Sequence, residues 1–187
     1  VSQRLNRGAS LSDAVQESCD GLRDVLGYKY VELFLPAGQH TSRASGESEC
    51  MLSCHSGGGT LRSLGGPLVG TTRSARVFDE GETLDFTGRD EILPLICDLA
   101  PPGEDDMPAL APQIYEILGV EYICQVPMLC DGEVMGYLAI GTSRPRPLPQ
   151  REKRFLTQFA EQLALIVAKS RAEDALRDSE KRYRLLF

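Results

Sequence analysis

Leu11, Val15, Cys19, Leu22 and Leu26 recur at intervals of four, four, three and four, the repeat of one apolar helix face. Gly27 follows where a helix commonly closes on a left-handed residue. Ser10 or Ser12 is the candidate N-cap, and Asp13 and Glu17 lie toward the positive end of the helix dipole. Residues 28–35 then read Y-K-Y-V-E-L-F-L, an aromatic and β-branched run closed by Pro36 and Gly38. The pattern predicts a helix feeding a strand.

Residues 41–66 carry few large apolar groups, and 53–66 alone contain five glycines, which predicts loop with one weak strand near 41–44. Order returns at 70–81, where Thr71 or Thr72 is a candidate N-cap and Gly81 ends a short helix. Residues 83–86 form a short extended segment. A proline-rich connection with the acidic cluster Glu104, Asp105 and Asp106 spans 88–112. Loops that long are uncommon unless they carry helix or function, so short helices are expected at 92–99 and at 113–118, the latter stopped by Gly119.

The clearest pattern comes next. Residues 120–130 and Glu133–Thr142 are strand-like runs joined by Asp131-Gly132, a strong hairpin signal. A closing helix starts at Pro149, which suits the first helical position, and keeps apolar spacing at Phe155, Phe159, Leu163, Ile166 and Val167. Beyond residue 168 the chain is charged and holds only the thin seam Ala168, Ala172, Ala175, Ser179 and Tyr183, close to a heptad. The helix outruns the domain.

Composition narrows the function. Of 187 residues, 42% are apolar and 25% charged, the balance of a globular chain rather than a disordered one. The formal charge of −7 argues against nucleic acid as a partner. Apolar runs such as 160–168, broken by Glu161 and Gln162, fall short of the roughly 20 residues that span a bilayer. No signal-peptide pattern follows Arg4 and Arg7. A cytoplasmic setting without membrane contact is expected. Cys19, Cys97, Cys124 and Cys130 stand among apolar residues as small hydrophobes, which fits a reducing compartment.

The segment L-G-V-E-Y-I-C-Q-V-P-M-L-C-D-G-E-V-M-G-Y-L-A-I-G over 118–141 resembles the hairpin of GAF domains, "LGV…PL…DG…GVL…G". Arg144-Pro-Arg-Pro-Leu148 with the helix bearing Phe155, Leu156, Ala160 and Leu163 resembles that family's closing helix. Gly70-Thr followed by D-E-G-E-T-L-D-F over 79–86 is similar to its "G…TGEPL.V" segment. The resemblance implies an α/β (α+β) fold, a central antiparallel sheet with helices packed on it, flanked by N- and C-terminal signalling helices. Residues 1–10 would be a flank, 11–168 the sensory domain, and 169–187 a helical linker. A-L-R-D-S-E-K-R-Y-R-L-L-F at the end resembles the "L.SE.RYR.LF" lead-in to a PAS domain. That implies a bacterial multidomain signalling protein of the sensor histidine kinase type, with PAS and effector domains following in cis.

Catalytic chemistry finds little to work with. The chain has two histidines, His40 and His55, both in polar segments, and no nucleophile elbow, Walker A, zincin or dinucleotide motif. Cys50, Cys54 and His55 are a weak metal or redox cluster without an evident fourth ligand. Bilin-binding relatives carry a Cys, commonly followed by His, on the helix before the "LGV" strand. Here that helix reads Ala111, Pro112, Gln113 and Ile114, so bilin is not expected. Free methionine sulfoxide reductases of the family need a G-V-C-G-like cysteine, and Gly70-Thr-Thr-Arg stands in its place. The F-D-E of Val77-Phe-Asp-Glu-Gly81 is too short a match to the cyclic-nucleotide motif N-K-F-D-E.

The expectation is a non-catalytic sensory or regulatory input domain that takes a small ligand or passes a conformational signal through its linker. Ligand-pocket candidates are Phe78, Phe86, Ile92, Cys97, Ile114, Tyr115 and Cys124, each of which also serves as ordinary core. A homodimer through the terminal helices is the expected assembly. The alternatives are a redox or metal sensor using Cys50 and Cys54, and a ligand-free dimerisation spacer.

Overall fold

The computed structural model describes residues 11–36, 47–48, 50–56, 68–69, 73–98 and 107–186. In chain order the elements are α1 (Leu11–Leu26), β1 (Tyr30–Pro36), β2 (Glu47–Ser48), β3 (Cys50–Ser56), β4 (Leu68–Val69) and α2 (Ala75–Glu80). There follow β5 (Leu84–Thr87), α3 (Arg89–Cys97), α4 (Met107–Leu118), β6 (Tyr122–Cys130), β7 (Glu133–Thr142) and α5 (Gln150–Leu186).

The opening helix forms as its spacing predicts, burying Val15, Cys19 and Leu22. Gly27 closes it at φ 71°, its N–H donating to the Arg23 carbonyl at 2.9 Å. Ser12 lies inside the helix and so does not cap it, and Ser10 lies outside the described residues. The short helix α2 begins at Ala75, with Ser74 rather than Thr71 or Thr72 at the N-cap position.

The two helices in the proline-rich connection start earlier than spacing predicts, at Arg89 and Met107. Both carry an internal proline, Pro94 and Pro112. Pro94 falls within the helix expected at 92–99, whereas Pro112 stands just ahead of the start expected at 113 and reads as a break; burial of Ile92, Leu95 and Ile96 on one helix and of Met107, Ala111, Ile114 and Tyr115 on the other outweighs both prolines.

A clear correction falls at Cys50–Ser56. Its glycine-rich surroundings predict loop, yet the segment is an edge strand paired antiparallel with β1 from Val31↔Ser56 to Pro36↔Cys50. The weak strand expected at 41–44 lies outside the described residues.

Among the described residues the main sheet has five strands in the order β3-β1-β7-β6-β5, every neighbouring pair antiparallel, and β2 with β4 makes a separate two-stranded ladder. The β6–β7 hairpin turns at Asp131 and Gly132, whose positive φ values of 51° and 82° fit a primed turn.

Alternation along the strands sorts residues onto two faces. Val31, Leu33, Leu35, Tyr122, Cys124, Val126, Met128, Leu138 and Ile140 pack under α1 and α5. Tyr30, Phe34, Ile123, Tyr137 and Ala139 face α2, α3 and α4. We call these the outer face and the inner face.

The stripe that α5 buries is Leu156, Ala160, Leu163, Ala164 and Val167, one residue out of phase with the expected Phe155, which stays exposed and stacks on Phe159 at 6.1 Å. The helix continues unbroken for 37 residues, about 55 Å. No helix among the described residues is long and apolar enough to cross a membrane.

Candidate functional site

The inner face is apolar at its margins and polar at its middle. Cross-strand register places Glu32, Ala139, Gln125 and Leu84 on one rung, running from β1 through β7 and β6 to β5. Residues directly opposite on antiparallel strands share a face. Glu32 is 3% exposed and Gln125 2%, so two polar side chains lie deep beneath the covering helices. Ala139 between them contributes only a methyl group.

Each polar group has a defined neighbour. The Tyr30 hydroxyl donates to Glu32 Oε2 at 3.0 Å. Burial first, then the charge of Glu32 and the neighbouring Tyr137, push the Tyr30 phenol well above its ordinary range, so it stays a donor. Gln125 Nε2 donates to Ser74 Oγ at 2.9 Å, tying β6 to the start of α2. Gln125 Oε1 is buried and accepts no hydrogen bond among the described residues. A buried acceptor left without a donor costs about 1–3 kcal/mol, so this atom marks a place where something polar belongs.

An aromatic group borders the rung. Phe34 and Tyr137 stack at 5.2 Å, and Phe78 meets both edge-on at 6.5 and 6.2 Å. Phe86, Ile92 and Ile114 belong to the same buried cluster. Arg89 lies 5.7 Å over the Tyr115 ring.

Six of the seven pocket candidates therefore share the inner face: Phe78, Phe86, Ile92, Cys97, Ile114 and Tyr115 all belong to or pack on its cluster. Cys124 does not. It sits one residue before Gln125, and the pleat turns it to the outer face among α1 and α5. Burial first, then the charge of Asp85, raise its thiol to about 12, so it is a packed hydrophobe and not a reactive thiolate.

Sequence reasoning passed over Glu32, Gln125, Ser74, Tyr30 and Tyr137. The available signal was a single polar residue within each apolar strand run, Y-V-E-L-F-L and Y-I-C-Q-V-P-M.

Cys50, Cys54 and His55 fall on β3, with His55 in register opposite Glu32 and Cys54 opposite Leu33. Extended backbone separates residues 50 and 54 by about 13 Å, too far for one disulfide to bridge or for one metal ion to share both. Among the described residues no group of three His, Cys, Asp or Glu is placed to hold a metal ion.

A second polar cluster, on the outer face, fastens the first turns of α5. Tyr122 O–H donates to Asp85 Oδ1 at 2.6 Å, and Lys153 binds Asp85 Oδ2. Tyr28 O–H donates to Glu152 Oε1 at 2.6 Å. Burial pulls the Asp85 carboxyl upward, but hydrogen bonds from Lys153 and Tyr122 and the Lys153 charge outweigh it and hold the group below the usual range.

A five-stranded antiparallel sheet with α1 and α5 on one face and short helices over a polar centre on the other defines the class of fold. The chain belongs to the GAF domain family, whose model matches residues 10–167. GAF domains are sensory and regulatory domains of signalling proteins, and some proteins of this fold are enzymes.

The GAF domain of a phosphoenolpyruvate-protein phosphotransferase from Coxiella burnetii is similar over 93% of this chain and 92% of its own, with TM-score 0.64 and 20% identity. Residues 122 to 287 of a methyl-accepting chemotaxis protein match over 90% and 94%, with TM-score 0.59 and 17% identity. A free methionine-R-sulfoxide reductase from Neisseria meningitidis, in complex with its substrate, matches over 88% and 81%, with TM-score 0.57 and 16% identity. No curated protein sequence matches the chain.

Proposed function

We propose that this GAF domain is a non-catalytic sensory input module of a signal-transduction protein, binding a small molecule on its inner face and passing the change to α5. The observation that carries the reading is the buried polar rung, Glu32, Ala139 and Gln125, where the Gln125 amide oxygen accepts no hydrogen bond among the described residues. Stable cores do not leave such an atom without reason. The response has a route out, because the opposite face of the same sheet carries α5, anchored through Asp85–Lys153 and Tyr28–Glu152.

The assembly in this proposal is a homodimer. Past residue 167 the exposed large apolar residues among the described side chains of α5 are Leu176 at 62% and Tyr183 at 65%, and Leu165 at 53% precedes them. With Ala172 and Ser179 they follow the 7-4-3-4 spacing of a heptad seam, larger than the alanine seam expected from sequence. A second copy in parallel covers that seam and brings the two helix ends together for paired output domains. In the parent protein those would be PAS and effector modules of a bacterial sensor histidine kinase type, in the cytoplasm.

The test is a metabolite panel screened by thermal shift on the full chain, followed by amide hydrogen exchange along α5. A compound that raises Tm and changes exchange in the first turns of α5 is expected. A panel without any stabilising compound overturns the sensory reading in favour of a ligand-free spacer.

A further inference from the structure

We infer that β5 is the lever that reads out the inner face: Leu84 and Phe86 respond to its contents, and Asp85 between them relays the change to Lys153 at the base of α5. This rests on the sensory reading and names how the same site is coupled to the output helix.

Adjacent residues of β5 reach opposite layers. Leu84 and Phe86 are buried in the inner-face cluster. Asp85 points the other way, accepting the Tyr122 hydroxyl at 2.6 Å and binding Lys153. Successive side chains of a strand are fixed to opposite faces, so Asp85 cannot stay still while its two neighbours shift. The register adds a link to the polar rung, because Leu84 stands opposite Gln125 and Asp85 opposite Cys124.

The setting of the strand favours movement as a unit. It is four residues long and lies at the sheet edge, paired among the described residues with β6 alone. Gly81 and Gly88 bound it, at φ 64° and 74°. A Cβ at Gly81 would meet nothing nearer than Val134 at 4.0 Å, and one at Gly88 nothing within that distance. Conformation rather than space therefore requires glycine at both ends, and such positions absorb backbone rotation at little steric cost.

The other tether of α5 starts outside the inner layer. Tyr28, which donates to Glu152, packs in the outer cluster ahead of β1. Asp85–Lys153 is thus the contact, made or broken, that the inner face and α5 can both bias. Coupling of this kind is reciprocal, so cutting the contact must also be felt on the inner face.

The experiment uses substitutions as probes, with amide hydrogen exchange and 15N spectra of the full chain. Exchange at 152–157 is read relative to the amides of β1 and β7, which removes any change in global stability. Phe86→Leu alters only the inner side of β5 and should raise exchange at 152–157 up to about five-fold, the equivalent of a partly exposed ion pair. In an Asp85→Asn background the same substitution should add nothing. Lys153→Met should shift the Gln125 side-chain NH2 resonances across the sheet, and Tyr28→Phe should leave them in place. Leu84→Val repeats the measurement at the neighbouring inner position if Phe86→Leu does not fold.

An equal rise in the Asp85→Asn background overturns the lever, since the change then travels through the core as a whole. Unchanged exchange with the inner-face substitution overturns it too, as do Gln125 resonances unmoved by Lys153→Met or moved as far by Tyr28→Phe. No ligand enters these measurements, so the sensory reading stands or falls separately on the metabolite panel.

Discussion

Asp85→Ala isolates what holds the long helix to the sheet. Oδ1 of Asp85 accepts the Tyr122 hydroxyl at 2.6 Å, and Oδ2 meets Lys153 of α5. Tyr122 is fully buried, so removing the carboxylate strands its hydroxyl at a cost of about 1–3 kcal/mol. The ion pair is partly exposed and adds at most about 1 kcal/mol. The sum is about 1–4 kcal/mol, or roughly 2–16 °C in Tm for a chain of this size. Asp85→Asn keeps an oxygen for Tyr122 and loses only the pair, so it should cost about 0.5–1 kcal/mol, and Lys153→Met should cost the same.

The assay is urea unfolding at pH 7 with linear extrapolation, checking that the slope stays constant across variants. The pH dependence supplies a second handle. Asp85 has a folded pKa below its unfolded value near 3.9, so its contribution is complete above about pH 5 and is lost as pH falls through 4 and below. The gap between wild type and Asp85→Asn should therefore narrow in acid. Equal losses for Asp85→Ala and Asp85→Asn would refute the reasoning, because the buried hydroxyl would then contribute nothing.

Cys124, raised by burial to about 12, has a folded pKa above the ordinary thiol value near 8.5, so its contribution is intact below about pH 8.5 and declines as pH climbs toward 12. Cys124→Ala should flatten the alkaline loss of stability by up to about 1.4 kcal/mol per pH unit between pH 9 and 10.5, and equal slopes in reducing buffer would contradict it. Leu165→Glu with Leu176→Glu should give a monomer by sedimentation without lowering Tm of the domain, since both side chains are exposed on α5, and an unchanged oligomeric state would end the seam model. Gly136→Ala would set a Cβ 2.3 Å from the Phe34 carbonyl oxygen, so β7 must part from β1, and a loss of at least about 1–3 kcal/mol is expected by urea unfolding.

Much of the fold was legible because several segments carry two signals that agree. The first helix pairs its spacing with Gly27, and the hairpin pairs its alternation with Asp131-Gly132. Where only one signal was present the reading failed in a definite direction. Pro112 argued for a break just ahead of the helix expected at 113–118, and tertiary burial overrode it. Cys50–Ser56 has no apolar run of its own and becomes strand because β1 offers an unpaired edge to it. Backbone pairing of that kind leaves little trace in local composition.

The site was harder to read for a reason of phase. Phe78, Phe86, Ile92, Ile114 and Tyr115 were accessible as large apolar residues in the right segments, and they form the walls. The polar groups between them needed cross-strand register. Glu32 and Gln125 are 93 residues apart in the chain, and each alone reads as an outward-facing residue of a half-exposed strand. A one-residue slip in either strand would send that side chain to the opposite face. Cys124 shows the consequence directly, since it is adjacent to Gln125 in sequence and on the far side of the sheet in space. A polar residue inside an apolar strand is thus informative only relative to its neighbours across the ladder. Here the pairings Glu32↔Ala139 and Gln125↔Ala139 turn two isolated polar positions into one buried rung.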